Sequence, residues 1–404
     1  MITFNLIVAV ATLLCIALVI YHHVGYPLIL KSLARRRQQP PVAYLQRGYR
    51  NCPASQKLPS TTLIMPAFNE AGMIEEKIRN LSALDYPAEM LKVILVCDGC
   101  VDDTAGIARE IHQEPACAHL DLTIIEHSDN RGKLAVVNEA VFAATTELVA
   151  LSDVSALVSV DALLIAAAHF KDETIGVVSG TYRMFQPGSA GEESYWQYQT
   201  AIKMNESALG STIGVHGAFY VFRRQLFHPL AEGIINDDFV LPMVIVASGY
   251  RAIYEPRINA LELECADTAV DHKRRRRIAA GNLQQLLLLW RLLHPRRGGI
   301  AFNFASGKTM RVIMPFCLLV AFVGSVILSV DSLFFLVMTA AQSIGYGIFI
   351  YRHFTIAKSA PKIIDTIHYM VSGHLAGLIG SSRYLLGLER RRWQRVIASK
   401  EAKS

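Results

Sequence analysis

The sequence has little charge and little cysteine for its length. Charged residues make up 18% of the 404 positions, against about a quarter in soluble domains, and 52% of the positions are hydrophobic. Seven cysteines in a chain this long are too sparse for the disulfide framework of small secreted proteins. We therefore expect a membrane protein with a sizeable soluble part, whose reduced thiols face a cytosol.

One cysteine pair, Cys97 and Cys100, has the C-x-x-C spacing that zinc and redox sites use. No second C-x-x-C or neighbouring histidine pair completes a zinc tetrahedron. A thioredoxin-like motif would open a helix, whereas Cys97 closes an apolar strand pattern and Asp98-Gly99 form a turn pair. We interpret the cysteines as incidental and regard Asp98 as the candidate functional residue.

The sequence also lacks repeats at a fixed period and low-complexity tracts, and its net charge of +6 is concentrated in short basic runs. Each run adjoins an apolar segment: Leu33–Gln39, His272–Gly281, His294–Gly299 and Glu389–Arg395. Basic residues beside apolar spans are typical of the cytoplasmic membrane face. They favour a lipid surface over nucleic acid as the partner.

Three apolar stretches are long enough to cross a bilayer, which takes about 20 helical residues: Ile2–Ile20, Val312–Val330 and Leu333–Ile350. The first has no basic residue before its apolar run, so we expect an anchor rather than a signal peptide. Residues 363–388 are partly apolar but contain Asp365 and Arg383, and the sequence leaves open whether they span, re-enter or lie on the membrane.

Between these stretches, short apolar strand patterns alternate with helical patterns over about residues 60–260. This alternation predicts an α/β fold with a largely parallel sheet and helices on both faces. In such sheets ligands bind at the carboxyl ends of the strands. Those ends read PAFNE, CDGC, EHSDNRGK and LSDVSA, which predicts a polar site there.

The segments PAFNE, VCDGCVDDT, NRGKLAVVN, LSDVSA, GAFYVFRR and NDDFVLPMVIVASGYRAIYEP occur in this order. In that order they resemble the motifs of family 2 glycosyltransferases, and the flanking spans resemble those of bacterial polysaccharide synthases. The resemblance implies a GT-A, Rossmann-like mixed sheet. It predicts an anchor over 1–32, a cytosolic domain over 55–270, interfacial helices over 271–310 and a transmembrane region over 311–404.

By this resemblance, the loop with Pro66, Asn69 and Glu70 borders the nucleotide's base and ribose. The alternative for Glu70 is a helix N-terminus, where an acid suits the macrodipole. Asp98 resembles the uracil-binding Asp of the family, and the alternative is a turn residue that bonds its own backbone. Lys133, at the start of a helix pattern, is predicted to reach the diphosphate, and the alternative is a solvated surface lysine.

Asp153 occupies the place of the family's metal-binding D-x-D, which implies Mg²⁺ or Mn²⁺ as cofactor. Ser155 stands where the second Asp is expected, so Asp153 would hold the ion with phosphate and water oxygens.

Asp237 and Asp238 resemble the family's acidic pair at a helix start. Counting back from Gly249-Tyr250 assigns Asp238 as the base that deprotonates the acceptor, with Asp237 beside the acceptor. The alternative is an N-cap cluster in which Asn236 is the capping residue.

The arginines Arg274, Arg275 and Arg277 stand where these synthases have Q-R-x-R-W, although Arg274 replaces the Gln and Ile278 the Trp. They are predicted to bind the diphosphate, and the alternative is a lipid-headgroup patch.

The downstream segment NLQQLLLLWRLL is predicted to be an amphipathic helix lying on the bilayer. His216, Gly217 and Trp196 are predicted acceptor contacts, with core or interfacial roles equally open for them.

Together these features predict an inverting enzyme that transfers a sugar from a UDP-sugar to a growing glycan. The predicted place is the cytoplasmic face of a bacterial inner membrane, with multi-pass anchoring and polysaccharide export subunits as further partners. Two alternatives stay open. One is transfer of a single sugar to a lipid-linked acceptor, and the other is an inactive scaffold subunit of an export complex.

Overall fold

The computed structural model describes residues 2–38, 40–186, 190–264, 268–355 and 361–388. These residues form two compact units. The sheet unit contains the described residues of 37–186 and 203–264, and the helical unit contains those of 2–36, 190–202 and 268–388. The last basic run, Glu389–Arg395, lies outside the described residues.

The α-helices alternate with the strands in the middle of the chain and follow one another at its ends. In chain order they are α1 Ile2–Ile20, α2 Tyr26–Arg35, α3 Ile74–Ser82, α4 Thr104–His112, α5 Lys133–Ala143, α6 Ala162–His169, α7 Ala190–Ala208, α8 Asp237–Ala247, α9 Thr268–Leu288, α10 Gly299–Asn303, α11 Met310–Leu328, α12 Leu333–Phe354 and α13 Lys362–Leu385.

Eight strands form one mixed sheet in the sheet unit. They are β1 Thr61–Ala67, β2 Leu91–Asp98, β3 Asp121–His127, β4 Leu148–Ser152, β5 Ala156–Val158, β6 Ile175–Met184, β7 Phe219–Arg223 and β8 Arg251–Glu262, in the spatial order β3-β2-β1-β4-β7-β6-β8-β5. Strands β1 to β4 run parallel, whereas β7 runs antiparallel to both its neighbours. The predicted α/β class, a mixed sheet with helices on both faces, is confirmed.

The amphipathic pattern of α3 explains why this segment forms a helix with one buried face. Ile74, Ile78 and Leu81 recur at helical spacing and are all buried, and Glu75 and Glu76 occupy the first turn, where the helix dipole favours acids. Every residue of β1 is buried, as expected of a central parallel strand.

The reversal at β7 brings a distant loop to the carboxyl end of β4. Ser152 pairs with Phe219, and the Asp153 backbone N–H donates to the Ala218 carbonyl at 3.2 Å. The loop before β7 therefore lies beside the carboxyl end of β4.

Three helices of the helical unit are long and apolar enough to cross a membrane, at Thr3–Arg35, Gly299–Leu328 and Leu333–Phe354. The second begins at Gly299 rather than at the predicted Val312, because α10 continues through the π-helical turn Phe304–Thr309 into α11. Most of the ambiguous residues 363–388 lie in α13, which ends at Leu385 and within the described chain is not among those three.

Candidate active site

A cavity of about 220 Å³ that opens to solvent lies at the carboxyl ends of β1 and β4. Six of the predicted site residues line it: Pro66, Lys133, Asp153, Gly217, Asp237 and Asp238. They come from the end of β1, the start of α5, the turn after β4, the loop before β7 and the start of α8. The structure thus brings together residues that are up to 172 positions apart in the sequence, counting from Pro66 to Asp238.

The cation in this cavity is Lys133, whose Nζ donates to Asp153 Oδ1 at 2.6 Å. Burial alone would lower the pKa of Lys133, but the carboxylates of Asp153, Asp237 and Asp238 outweigh it and hold that pKa above its ordinary value. Lys133 is therefore a fixed positive charge facing a concentrated set of negative ones, rather than a solvated surface lysine.

Asp98, the last residue of β2, binds the loop between β3 and α5. Its two carboxylate oxygens accept the backbone N–H groups of Arg131 at 2.9 Å and Gly132 at 2.7 Å, and the residue is 1% exposed. Asp98 thereby fixes the loop that immediately precedes Lys133. Its predicted contact with a nucleotide base stays a prediction.

The turn at Gly99 makes this arrangement possible. Gly99 has φ +67°, and a Cβ there would lie 2.4 Å from the Asn130 backbone nitrogen. A side chain at this position would push the two loops apart, so glycine is required both by conformation and by space.

Asp237 and Asp238 are the first two residues of α8. The Asn236 side chain makes no capping hydrogen bond to the helix, so the capping alternative gains no support. A Cβ on Gly217 would lie 3.3 Å from Asp238 Oδ2 and 3.6 Å from Asp153 Oδ2. Gly217 therefore leaves open the space that the two carboxylates face.

The loop after β1 is bonded to the loop after β2. Asn69 Oδ1 accepts the Val101 backbone N–H at 2.9 Å, and the Glu70 backbone N–H donates to Thr104 Oγ1 at 2.8 Å. The thiol of Cys100 joins this network by accepting the Asn69 backbone N–H at 3.4 Å. The roles predicted for Asn69 and Glu70 toward a nucleotide stay predictions.

Two predicted acceptor contacts, His216 and Trp196, are not among the residues that line the cavity. His216 stacks on Tyr182 with ring centroids 3.8 Å apart and accepts the Ala218 N–H through Nδ1. Trp196 lies in α7 within the helical unit, edge-on to Tyr195 at 5.5 Å. The acceptor roles of His216 and Trp196 stay predictions.

The predicted arginines Arg274, Arg275 and Arg277 lie in α9 of the helical unit. The Arg275 guanidinium lies over the Tyr369 ring, 4.1 Å from its centroid. The predicted contact of the three arginines with a diphosphate stays a prediction.

Sequence reasoning missed Lys77, which lies on the interior side of the turn after β4. Lys77 is fully buried, and its Nζ donates to Ser152 Oγ at 2.7 Å and to the Ala156 carbonyl. Burial lowers its pKa to about 7, against the opposing charges of Asp153 and Glu262. The available signal was a lysine on the apolar face of α3, between Ile74 and Leu81.

Sequence reasoning also missed Tyr220, which is in β7 and lines the cavity. It is 1% exposed, and burial, followed by the charges of Asp237, Asp238 and Asp153, raises the pKa of its hydroxyl well above the ordinary value. A lone tyrosine in the apolar strand Phe219–Arg223 was the signal that pointed to it.

The cavity offers carboxylate oxygens, which are the donors that Mg²⁺ and Mn²⁺ prefer. Among the described residues no group of three or more His, Cys, Asp or Glu side chains is arranged to hold a metal ion. The Asp153 and Asp238 carboxylates both face the space above Gly217, however. Such a donor set fits an ion that is held by one or two carboxylates and completed by phosphate and water.

Known proteins resemble parts of this chain in sequence and in fold. Residues 62–230 match the family described as Glycosyl transferase family 2. Poly-beta-1,6-N-acetyl-D-glucosamine synthase of Staphylococcus aureus is 26% identical over 208 residues, which are 50% of this chain and 49% of that protein. The Staphylococcus epidermidis protein of the same name is 24% identical over 210 residues, again 50% of this chain and 49% of that one. The chain spans about half the length of the curated relatives it matches.

Among solved structures, a mannosyltransferase from Pyrobaculum calidifontis in complex with GDP-Man and Mn²⁺ superposes with a TM-score of 0.71. It is 24% identical, and the match covers 94% of this chain and 100% of that one. At this identity the likeness shows the fold alone, and it confirms the predicted GT-A architecture. The match over 62–230 agrees with the predicted family: this part of the chain is similar to family 2 glycosyltransferases.

Proposed function

We propose that this protein transfers a sugar, with inversion, from a UDP-sugar to the hydroxyl group of a growing glycan at the cytoplasmic face of a bacterial inner membrane. The observation that supports this most strongly is the cavity itself. Lys133 bonded to Asp153 stands in it together with Asp237 and Asp238, at the strand ends of a family 2 domain.

Asp238 acts as the general base. An acceptor hydroxyl must lose its proton as it attacks the anomeric carbon, and a carboxylate within hydrogen-bond reach takes that proton. The position of Asp238 in the first turn of α8 favours its charged form, since the helix dipole stabilises an anion there. Attack in line with the departing nucleotide then inverts the anomeric configuration.

Lys133 offsets the negative charge that accumulates on the leaving diphosphate. Its charge is held in place by the bond to Asp153 and, through Asp98, by a fixed loop. A preorganised cation of this kind stabilises a developing anion without reorganising. Asp153 would hold a Mg²⁺ or Mn²⁺ ion, which when bound supplies further neutralisation of the diphosphate.

The nature of the substrates is supported by the relatives. The Staphylococcus proteins are named as synthases of a poly-N-acetylglucosamine, and the Pyrobaculum structure holds GDP-Man and Mn²⁺. Both are consistent with a hexose donor activated as a nucleoside diphosphate. The uracil base is proposed from the resemblance of Asp98 to a uracil-binding residue.

The membrane location is supported by the helical unit. It contains three helices long and apolar enough to span a bilayer. At the end of α9 and just beyond it, Leu287, Leu288 and Trp290 are more than half exposed. Exposed leucines with a tryptophan, close to the basic run His272–Gly281, are typical of a segment lying in the headgroup region.

The test is a nucleotide-release assay on the full-length protein in detergent. UDP-GlcNAc, UDP-glucose and GDP-mannose are supplied in turn, with and without Mg²⁺ or Mn²⁺, and with an oligosaccharide acceptor. We expect metal-stimulated release from one UDP-sugar, and release from GDP-mannose alone would overturn the uracil assignment. Absence of release and of nucleotide binding with every donor would overturn the proposed function and favour the scaffold alternative.

Product length separates polymerisation from single addition. If the protein polymerises, radiolabelled donor yields a ladder of products whose mean length grows with the ratio of donor to acceptor. A single new band at every ratio would instead show transfer of one sugar to each acceptor.

A further inference from the structure

The Tyr220 hydroxyl has no hydrogen-bond partner in the structure, although its oxygen is buried. A buried polar group without a partner costs folding free energy, since it has lost its bonds to water. Phenylalanine would avoid that cost in a strand whose neighbours Phe219 and Phe222 are themselves buried aromatics. Packing alone therefore does not explain a tyrosine at this position.

The surroundings of the hydroxyl indicate what would bind it. Tyr220 lines the cavity, together with Asp153, Asp237 and Asp238. Burial, followed by the charges of the three carboxylates, raises the pKa of the hydroxyl, which stays protonated at neutral pH. The tyrosine therefore offers a hydrogen-bond donor, whereas each carboxylate offers only acceptors.

A ligand that satisfies both kinds of group must accept from the tyrosine and donate to a carboxylate. A sugar hydroxyl does both, whereas a phosphate oxygen only accepts and would be repelled by the three acids. The site for phosphate is at Lys133, whose cation is bonded to Asp153. Lys133 is therefore the expected contact of the phosphate, and Tyr220 is the expected contact of a sugar hydroxyl.

We propose that Tyr220 is a specificity-determining residue, whose hydroxyl donates a hydrogen bond to a ring hydroxyl of the transferred sugar while that hydroxyl donates to Asp237 or Asp238. This inference rests on the proposed function and adds to it the group that recognises the sugar rather than the nucleotide. Donors that lack this hydroxyl leave the tyrosine unpaired and are rejected for that reason.

The test compares Tyr220→Phe with the parent in the full-length detergent-solubilised protein. Titration calorimetry measures the affinity for UDP-GlcNAc and for UDP, or for GDP-mannose and GDP if the parent binds only those. A melting curve of the unliganded protein measures stability. We expect the variant to bind the sugar nucleotide about 3- to 10-fold more weakly, since that is the effect of one neutral hydrogen bond. We expect its affinity for the free diphosphate to be unchanged and its melting temperature to be equal or higher.

Tyr86→Phe is the matched control. Tyr86 is a buried tyrosine of the same unit, but its hydroxyl already donates to the Pro59 carbonyl. Its removal should lower the melting temperature and leave both affinities unchanged. The two variants are thus expected to show opposite patterns.

Three results would overturn the proposal. An equal loss of affinity for UDP and for UDP-GlcNAc would place the contact on the nucleotide. Unchanged affinity for both would show that the hydroxyl binds only water. A lower melting temperature with unchanged affinities would show a structural role. A parent protein that binds no nucleotide at all would overturn the proposed function itself, which is a separate and visible outcome.

Deoxy analogues of the donor then identify the hydroxyl. The analogue that lacks the contacted group should bind the parent more weakly than Tyr220→Phe binds the complete donor, because it also loses the bond to the carboxylate. It should lose nothing further in the variant, because the same hydrogen bond is missing in both. If every analogue loses affinity equally in parent and variant, the proposed contact does not exist.

Discussion

Two lysines approach the turn after β4 from opposite sides, and their surroundings differ. On the interior side, Lys77 is fully buried, donates to Ser152 and Ala156, and has a pKa lowered to about 7 by burial. On the cavity side, Lys133 donates to Asp153, and three carboxylates hold its pKa above the ordinary value despite burial. Lys77 therefore loses its proton more easily than an ordinary lysine, whereas Lys133 keeps its charge.

The interior groups around Lys77 stabilise the turn, whereas the groups around Lys133 are available to bind a ligand. The interior side is a set of completed hydrogen bonds, which fix the backbone on both sides of Asp153. The cavity side concentrates three acids around one cation and leaves the Tyr220 hydroxyl without a partner. Such an arrangement destabilises the unliganded protein and is favourable only when a ligand binds. Changes on the interior side should therefore affect stability, and changes on the cavity side should affect binding and turnover.

The largest expected effect is that of Asp238→Asn on the cavity side. An amide cannot take the acceptor's proton, so the transfer rate should fall by about 10²- to 10⁴-fold, the usual contribution of a general base. Affinity for UDP and the melting temperature should stay near those of the parent, as measured by calorimetry and thermal unfolding, while steady-state transfer measures the loss of rate. Asp172→Asn, at an exposed turn, is the control and should keep full activity. A transfer rate within a factor of three of the parent would remove Asp238 from the role of base.

Lys133→Met tests the proposed contact between Lys133 and the diphosphate. Loss of a charge-assisted hydrogen bond should weaken the binding of UDP by about 10- to 100-fold. Titration of UDP into the variant and into Lys171→Met, an exposed lysine, provides the comparison. Equal UDP affinity in all three proteins would show that Lys133 does not contact the diphosphate.

Lys77→Met tests the interior side. It leaves the Ser152 hydroxyl and the Ala156 carbonyl without their buried donor, so the free energy of unfolding should fall by about 1–3 kcal/mol. Denaturant unfolding of the sheet unit, followed by its aromatic fluorescence, measures the change. UDP affinity at a temperature where both proteins are folded should be little altered. A variant as stable as the parent would show that the interior bonds do not stabilise this turn.

The stability of the protein should also depend on pH. The unfolded lysine releases its proton near 10.5 and the folded Lys77 near 7, so between these values the unfolded chain binds more protons. The free energy of unfolding should therefore rise as the pH is raised from 7 to 10. Below pH 7 the lysine is protonated in both states, so the full cost of burying its charge is present. Lys77→Met should show a smaller rise over that range, and parallel curves for the two proteins would contradict the lowered pKa.

The same comparison explains what the sequence could and could not predict. The strand pattern at β1 could be recognised because the apolar run from Leu63 to Ala67, which ends at a polar loop, is a local signal. Asp153 and Asp238 were predicted as site residues because each stands at a strand end or a helix start, and both line the cavity. The contact of Lys77 with Ser152 joins residues 75 positions apart, and no local pattern specifies it.

Tyr220 and Asp98 also show that local sequence patterns do not specify contacts between distant elements. Tyr220 lines the cavity as part of β7, which pairs antiparallel with β4, and the sequence does not determine that order of strands. The carboxylate of Asp98 was placed correctly at the end of β2, yet its partners come from the loop after β3. Local patterns predicted the elements, whereas the pairing between distant elements decides what each side chain contacts.

The most direct test of ligand binding in this cavity is a structure of the full-length protein with UDP-GlcNAc and Mn²⁺ bound. We expect the diphosphate beside Lys133 and Asp153, and the N-acetylglucosamine ring between Tyr220 and the Asp237–Asp238 pair. Density for the nucleotide elsewhere, or a diphosphate out of reach of Lys133, would contradict it.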